Sequence, residues 1–190
     1  IIEFQADGMK EKGMVAAAMG TTCLSNSGKW WGVTYKVAEK SRFMIIDTEN
    51  GEGKSILEAN SISHMQFCPD DEEQIFYAGP LTDRVWTIRL DGSGNQRVYE
   101  KQPQEWITHE SWLPKTNEIA FVDWPNGMRA INIHTKQERQ LTQFNAWHAI
   151  SNHAGSRIIA DTNFPDIGLQ IFDPDDQNFQ HETICLPKSS

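Results

Sequence analysis

WITHESWLP, residues Trp106–Pro114, contains a pattern that occurs three times along the chain and indicates the fold. An earlier copy is SISHMQFCP (Ser61–Pro69), and a later copy is NAWHAISNH (Asn145–His153). The copies place histidines at positions 64, 109 and 148, so the pattern repeats after 45 and then 39 residues. A period of about 40 to 45 residues with several strand signals per unit is typical of a β-propeller, in which each unit forms one blade. A histidine at one fixed point of successive blades would bring several imidazoles to one shared place.

The rest of the sequence divides into units of four short β-rich runs separated by turn residues. Segments such as Val85–Leu90 alternate with the period of a strand, and the pair Asn50–Gly51 supplies the positive φ that a tight hairpin needs. We predict an all-β protein, a single partial β-propeller domain over residues 1–190. Its four consecutive four-stranded blades are expected at 12–60, 61–104, 105–144 and 145–188.

The segment 1–11 has no partner strands before it, so we interpret it as the outer strand of a preceding blade. A ring closed from four complete blades has no place for this extra strand. We therefore expect the chain to be part of a larger ring. A closed four-bladed propeller is the alternative.

Length, charge and cysteine content exclude several classes of protein. With 190 residues, of which 38% are hydrophobic, the chain can bury the core of one domain. Its net charge of -9 argues against a nucleic-acid partner, and no apolar run approaches the roughly 20 residues of a membrane span. The three cysteines are too widely spaced for a disulfide framework or a zinc knuckle, which favours a reducing compartment and thus a cytoplasmic protein.

Several motifs of this sequence resemble those of the oligogalacturonate lyase family. They are Asp83–Trp86 (DRVW), Thr108–Glu110 (THE) with Trp112 and Pro114, and Trp147–Asn152 (WHAISN). The interval of 25 residues from Arg84 to His109 also matches the spacing in that family. The resemblance implies a seven-bladed propeller, about half of which lies in this chain, and a lyase that cleaves short pectin oligomers by β-elimination. It also implies a divalent metal, usually manganese, and a small acidic oligosaccharide as the binding partner.

The resemblance assigns candidate roles to individual residues. Arg84 matches the arginine that contacts the substrate carboxylate, His109 matches the proposed Brønsted base, and His148 matches the first metal-binding histidine. The family's other metal ligands lie in a Gln-x-x-His-x-His stretch of a later blade, which this sequence does not contain. We therefore expect those ligands outside the chain, and we expect this chain alone not to bind a metal tightly. His64, at the equivalent repeat position, is a candidate for substrate contact or for a structural role.

The chemistry of β-elimination requires residues of these types. The C5 proton of a uronate becomes acidic only when the charge of the neighbouring C6 carboxylate is neutralised, which a divalent cation or an arginine can do. An imidazole with an ordinary pKa near 6.5 is mostly neutral at pH 7 and can accept that proton. A guanidinium cannot act as the base, but its planar fork fits a carboxylate.

Structural interpretations stand beside these roles. A histidine in an apolar strand is often a hydrogen-bonded core residue, and a solvated or ion-paired surface residue is the alternative for Arg84. For the remaining candidates we favour structural interpretations over functional ones. Asp123 and Asp161 are interpreted as strand caps, with the orientation of a histidine as the alternative. Trp106, Trp112, Trp124 and Trp147 are interpreted as blade packing, with sugar-stacking platforms as the alternative, and His134, His153 and His181 as solvated. The alternative function is a non-catalytic propeller, similar to TolB-type propellers, that serves as a binding or scaffolding module.

Overall fold

The structure is a computed structural model that describes residues 19–37 and 39–186. All regular secondary structure in these residues is β-strand. The sixteen strands of the described residues are β1 (Met19–Leu24), β2 (Trp30–Val37), β3 (Lys40–Asp47), β4 (Gly53–Ala59), β5 (Ser63–Phe67), β6 (Gln74–Ala78), β7 (Val85–Arg89), β8 (Gln96–Arg97), β9 (Trp106–Leu113), β10 (Glu118–Trp124), β11 (Gly127–Asn132), β12 (Glu138–Thr142), β13 (Ala146–Ser151), β14 (Ile158–Thr162), β15 (Leu169–Phe172) and β16 (His181–Cys185). This part of the chain contains no helix that could cross a membrane.

The strands of the described residues form four antiparallel sheets of four strands each. The sheets are β1–β4, β5–β8, β9–β12 and β13–β16, and strands that follow one another in sequence are hydrogen-bonded neighbours. A four-stranded meander that repeats along the chain is the blade of a β-propeller, so the predicted fold class is confirmed. The outer strand predicted at 1–11 lies outside the described residues. Cys23, Cys68 and Cys185 are free thiols, and the cytoplasmic location stays a prediction.

The chain divides into two compact units, each of which contains two sheets. In the first unit (Ile1–Arg97), Phe43 and Ile45 of β3 pack in one core with Phe67, Ile75 and other apolar residues of the second sheet. The second unit (Val98–Ser190) has its own core, which joins the third sheet to the fourth. Alternate residues of a strand point to opposite faces, so these apolar positions place one face of each sheet against its neighbour in the unit.

The first strand of every sheet contains a β-bulge at the same place, where two residues stand opposite one residue of the second strand. The bulges are Gly20–Thr21 opposite Thr34, His64–Met65 opposite Tyr77, His109–Glu110 opposite Phe121, and Trp147–His148 opposite Asp161. His64 and His109 take the first position with φ of 47° and 50°, in the left-handed region that non-glycine residues rarely adopt. His148 takes the second position, so the prediction of one fixed point for all three histidines is wrong by one residue in the fourth sheet.

In two of the sheets, the side chain opposite the bulge accepts a hydrogen bond from the backbone N–H of the second bulge residue. In the first sheet the hydroxyl of Thr34 accepts a hydrogen bond from the N–H of Thr21 at 2.8 Å. In the fourth sheet the carboxylate of Asp161 accepts one from the N–H of His148 at 2.6 Å. The second and third sheets have an aromatic ring at this place and a left-handed histidine in the bulge. The four sheets therefore share one irregularity, which two of them combine with a side-chain acceptor and two with a left-handed histidine.

The close approach of the β10–β11 hairpin to the end of β12 can be tested by substitution of a glycine. Gly127 has a φ of +118°, and a Cβ atom there would lie 2.0 Å from the carbonyl oxygen of Thr142. We expect Gly127→Ala to lower the free energy of unfolding by at least about 2 kcal/mol, because the left-handed strain and the clash with backbone add. Gly28→Ala is the matched control, since Gly28 has a φ of +76° and open space around it, and should cost only about 1 kcal/mol. Equal thermal midpoints for the two variants would contradict the close approach at Thr142.

Candidate active site

Two of the predicted histidines meet in the second unit. His109 comes from the bulge of β9 and His148 from the bulge of β13, and their ring centroids are 4.3 Å apart with the planes inclined at 62°. The indole of Trp147 also lies against His109, and their ring centroids are 5.0 Å apart. His109 is half-buried, whereas the side chain of His148 is 61% exposed. The bulges thus present two imidazoles, one sheltered and one accessible, at one place.

Asp161 holds His148 in a fixed orientation. Its Oδ1 accepts the backbone N–H of His148 at 2.6 Å, and its Oδ2 lies 2.9 Å from Nδ1 of the ring. Because a carboxylate accepts hydrogen bonds, the Nδ1 atom carries the proton in this arrangement, and the lone pair of the neutral imidazole is on Nε2. Of the two interpretations of Asp161, a carboxylate that orients a histidine agrees with this arrangement, and a strand cap does not.

Arg84 and His64 form a second pair, in the first unit. The guanidinium Nη2 lies 3.4 Å from Nδ1 of His64, and Arg84 is only 6% exposed, so the surface alternative is wrong. Since a guanidinium only donates, His64 accepts this hydrogen bond and holds its own proton on Nε2. The loop before Arg84 is tight, because the N–H of Gly79 donates to the carbonyl of Arg84 at 2.7 Å. That these two residues share one site with His109 and His148 stays a prediction.

Three tryptophans extend from the histidine pair. Trp147 is followed by Trp124 at 6.2 Å and then by Trp106 at 6.4 Å, measured between ring centroids. Trp124 donates its Nε1–H to the carbonyl of Asn163 at 3.3 Å, which fixes the indole. Trp106 is 51% exposed, so the interpretation of this residue as blade packing is wrong. Trp112, at 4% exposure, packs in the interior as predicted.

Arg129 lies at the centre of a charged cluster that the sequence analysis missed. Its guanidinium pairs with Glu105 at 2.8 Å, with Asp123 at 3.3 Å and with Glu138 at 2.8 Å. It also donates to the hydroxyl of Tyr99 at 2.7 Å. The strand-cap interpretation of Asp123 is thus wrong, because its carboxylate is part of this cluster. The available signal was an arginine within the otherwise apolar run of β11.

Burial and hydrogen bonding shift the titration of this cluster. Burial alone would raise the pKa of Glu105, but hydrogen bonds from Tyr99, from the N–H of Gln102 and from the guanidinium outweigh it and lower that pKa. Burial raises the pKa of Tyr99 well above its usual range, and the hydrogen bond to the carboxylate adds to this effect. Burial alone would lower the pKa of Arg129, but Tyr99 and Asp123 raise it. The carboxylate and the guanidinium are therefore charged at neutral pH, and the phenol is protonated.

Other candidate ligands are dispersed. His134, His153 and His181 are exposed, as predicted. Within residues 19–37 and 39–186, no group of three or more His, Cys, Asp or Glu side chains could hold a metal ion. His148 with its Asp161 partner has the form of a single metal ligand, because metal-binding histidines usually donate their other ring N–H to a carboxylate or carbonyl.

A family model and a curated relative identify the same protein family. A family model described as oligogalacturonate lyase matches residues 21–181. The chain is 33% identical over 132 residues to an oligogalacturonate lyase of Dickeya dadantii, and the match covers 63% of this chain and 34% of the relative. The chain therefore spans about a third of the length of this curated relative.

Solved structures agree on the fold. An oligogalacturonate lyase in complex with manganese superposes with a TM-score of 0.77 at 22% identity, which covers 93% of this chain and 56% of that one. A putative TolB of Agrobacterium tumefaciens superposes with a TM-score of 0.72 at 14% identity, which covers 90% of this chain and 66% of that one. At such identities the likeness shows the propeller fold alone.

The cluster around Arg129 predicts a specific pH dependence. A lowered pKa in the folded state means that the Glu105 carboxylate contributes stability above its ordinary pKa, and that this contribution is lost as the pH falls through the folded-state pKa. We expect Glu105→Gln to lower the free energy of unfolding by about 1.5 to 3 kcal/mol at pH 7. The difference from wild type should shrink below about pH 4.3.

The matched control is Glu138→Gln, which removes a more exposed carboxylate from the same guanidinium. Exposed pairs contribute only about 0 to 1 kcal/mol. Unfolding followed in urea between neutral and acidic pH measures both variants. A difference between wild type and Glu105→Gln that does not change with pH would show that the cluster does not depend on this charge.

Proposed function

The chain belongs to the oligogalacturonate lyase family, and we propose that the protein that carries it cleaves short galacturonate oligomers by β-elimination. The observation that carries the proposal is the pair of His109 and His148, 4.3 Å apart at their centroids, with His148 oriented by a carboxylate. A binding module has no need of two imidazoles at one place. Both the family and this pair favour the lyase over the non-catalytic alternative.

The reaction needs a base, a means to neutralise a carboxylate and an exit for the leaving group. The base takes the C5 proton, the electrons of the C5–H bond form a C4–C5 double bond, and the bond from C4 to the glycosidic oxygen breaks. The leaving oxygen departs with its electron pair and takes up a proton. The products are a shortened oligomer and a sugar with an unsaturated C4–C5 bond.

His109 is the proposed base. Its neutral imidazole can accept the C5 proton near pH 7, which is the condition for efficient general-base catalysis. The left-handed bulge fixes its backbone at φ 50°, and contacts with Trp147 and His148 hold the ring. A fixed ring preserves the alignment of nitrogen and proton, and such positioning is a large part of enzymatic rate enhancement.

Arg84 is proposed to bind the substrate carboxylate, with His64 as a positioning residue. A planar guanidinium can form two parallel hydrogen bonds to a carboxylate, which neutralises charge beside the C5 proton. The acceptor Nδ1 of His64 occupies one edge of the guanidinium at 3.4 Å. This hydrogen bond limits the rotation of the Arg84 guanidinium.

We further propose manganese as the divalent metal, with His148 as one of its ligands. The lone pair on Nε2 of His148 fits this role, because Asp161 holds the proton on Nδ1 and the ring is accessible. When bound, a divalent cation stabilises the negative charge that develops at the C6 carboxylate. The described residues contain no cluster of three ligands, so the remaining ones are expected elsewhere in the full-length protein.

Replacement of His109 tests the proposed base. In the full-length protein we expect His109→Ala to lose about 10² to 10⁴-fold in kcat, the usual contribution of general-base catalysis, with metal content unchanged. The assay is the near-ultraviolet absorbance of the unsaturated product formed from digalacturonate. His153→Ala, in an exposed turn, is the control and should behave as wild type. Turnover of His109→Ala at the wild-type rate would remove His109 from the mechanism.

Replacement of Asp161 tests the orientation of His148. In Asp161→Asn the amide can donate to Nδ1, which would move the imidazole proton to Nε2 and block the ligand atom. We expect manganese affinity in the full-length protein, measured by titration calorimetry, to fall about 10 to 100-fold, as for other partners of metal-bound histidines. Asp173→Asn, which removes an exposed carboxylate paired with Arg157, is the control. An affinity equal to wild type in Asp161→Asn would exclude this role.

A further inference from the structure

Trp106 and Trp124 stand at the ends of neighbouring strands and form a cross-strand pair. They are directly opposite each other on β9 and β10, and their rings meet at 72°. Trp147 continues the row at 6.2 Å from Trp124, and His109 lies 5.0 Å from Trp147. An unbroken row of aromatic rings therefore leads from the exposed Trp106 to the proposed base. We call Trp106, Trp124 and Trp147 the aromatic row.

Charged and polar contacts stabilise the strand ends that carry Trp106 and Trp124. Glu105 precedes Trp106 and Asp123 precedes Trp124, and both carboxylates pair with the one guanidinium of Arg129. This cation fastens the two strand ends to each other. The carbonyl oxygen of Asn163 accepts hydrogen bonds both from Nε1–H of Trp124 and from the side-chain amide of Asn145. The indole of Trp124 and the strand end that carries Trp106 are thus held in place before any ligand arrives, which reduces the entropy lost on binding.

One chemical class of ligand fits this surface. A pyranose ring has a face of C–H groups that can lie on an indole, while its hydroxyl and carboxylate groups stay in water. Pairing with Arg129 offsets one of the negative charges of Glu105, Asp123 and Glu138, which reduces their repulsion of an anionic sugar but does not remove it. An oligomer with one ring at His109 must place its next ring beside that residue, and the aromatic row begins there.

We propose that the aromatic row is a subsite that binds a galacturonate ring next to the ring from which the proton is taken. This inference rests on the proposed function and adds binding residues to it. Stacking on the C–H face of that ring involves no bond that changes in the reaction, so it contributes similarly to the ground state and to the transition state. Loss of the subsite should therefore change KM and leave kcat nearly unchanged.

Trp106→Ala in the full-length protein is the test, because Trp106 is the most exposed member of the aromatic row. We expect KM for digalacturonate and the dissociation constant for trigalacturonate to rise about threefold to tenfold, the usual range for an aromatic contact. The value of kcat should stay within about twofold of wild type. Trp106→Phe, which keeps an aromatic face, should recover part of the affinity.

Two controls separate binding from folding. Leu24→Ala removes an exposed apolar residue at the end of β1 and should leave KM unchanged. The thermal midpoint of each variant shows whether it is folded. If Trp106→Ala and Trp106→Phe both lower the midpoint with no change in KM, the exposed indole is covered by another part of the full-length protein or by a partner, and the inference is wrong.

The outcomes also separate this inference from the proposed function. Turnover of digalacturonate by wild type, with KM unchanged in Trp106→Ala, overturns the subsite and leaves the lyase intact. If wild type with manganese shows no turnover, the proposed function fails. Calorimetric titration of trigalacturonate then decides the subsite: binding weakened about threefold to tenfold in Trp106→Ala supports it, and binding that is absent or independent of Trp106 overturns it.

Discussion

A β-bulge at one place in the first strand of every sheet is the constraint on which the rest of the candidate site depends. Two residues stand opposite one there, so the strand must bend and one side chain is redirected. In the third sheet this residue is His109, held in a left-handed conformation, and in the fourth sheet the bulge brings in Trp147 and His148. A regular strand would send alternate side chains to opposite faces and would separate these rings. The proposed chemistry therefore depends on an interruption of the regular ladder.

The fourth sheet shows how a local irregularity also determines a protonation state. The Asp161 carboxylate accepts both the backbone N–H and the ring Nδ1–H of His148. One acidic side chain thereby satisfies the extra backbone donor of the bulge and selects the tautomer of the imidazole. In the first sheet the hydroxyl of Thr34 accepts the equivalent N–H and donates to the carbonyl of Thr21. The same backbone hydrogen bond is therefore combined with orientation of an imidazole in the fourth sheet but not in the first.

Arg129 has a comparable double function. Burying a guanidinium costs free energy unless carboxylates and hydrogen-bond acceptors surround it, and the cluster of Glu105, Asp123, Glu138 and Tyr99 supplies them. Two of these carboxylates directly precede Trp106 and Trp124 in sequence. The charge pairing that stabilises the third sheet therefore also sets the position of the aromatic row. The net charge of the chain is -9, and Arg129 offsets one of the negative charges of this cluster.

The all-β class, the four-stranded repeats and the meeting of His109 with His148 could be predicted from the sequence, because strand alternation and turn residues are local signals with a fixed period. The pairing of side chains, in contrast, depends on the tertiary structure. The one-residue shift at His148, the burial of Arg84, the role of Asp161 and the exposure of Trp106 all depend on bulge position and strand register. Glu105 and Arg129 are 24 residues apart in sequence and meet only when β9, β10 and β11 are aligned. A pairing of this kind leaves no periodic trace, since it arises from contacts across strands and not from the order of residues along one strand.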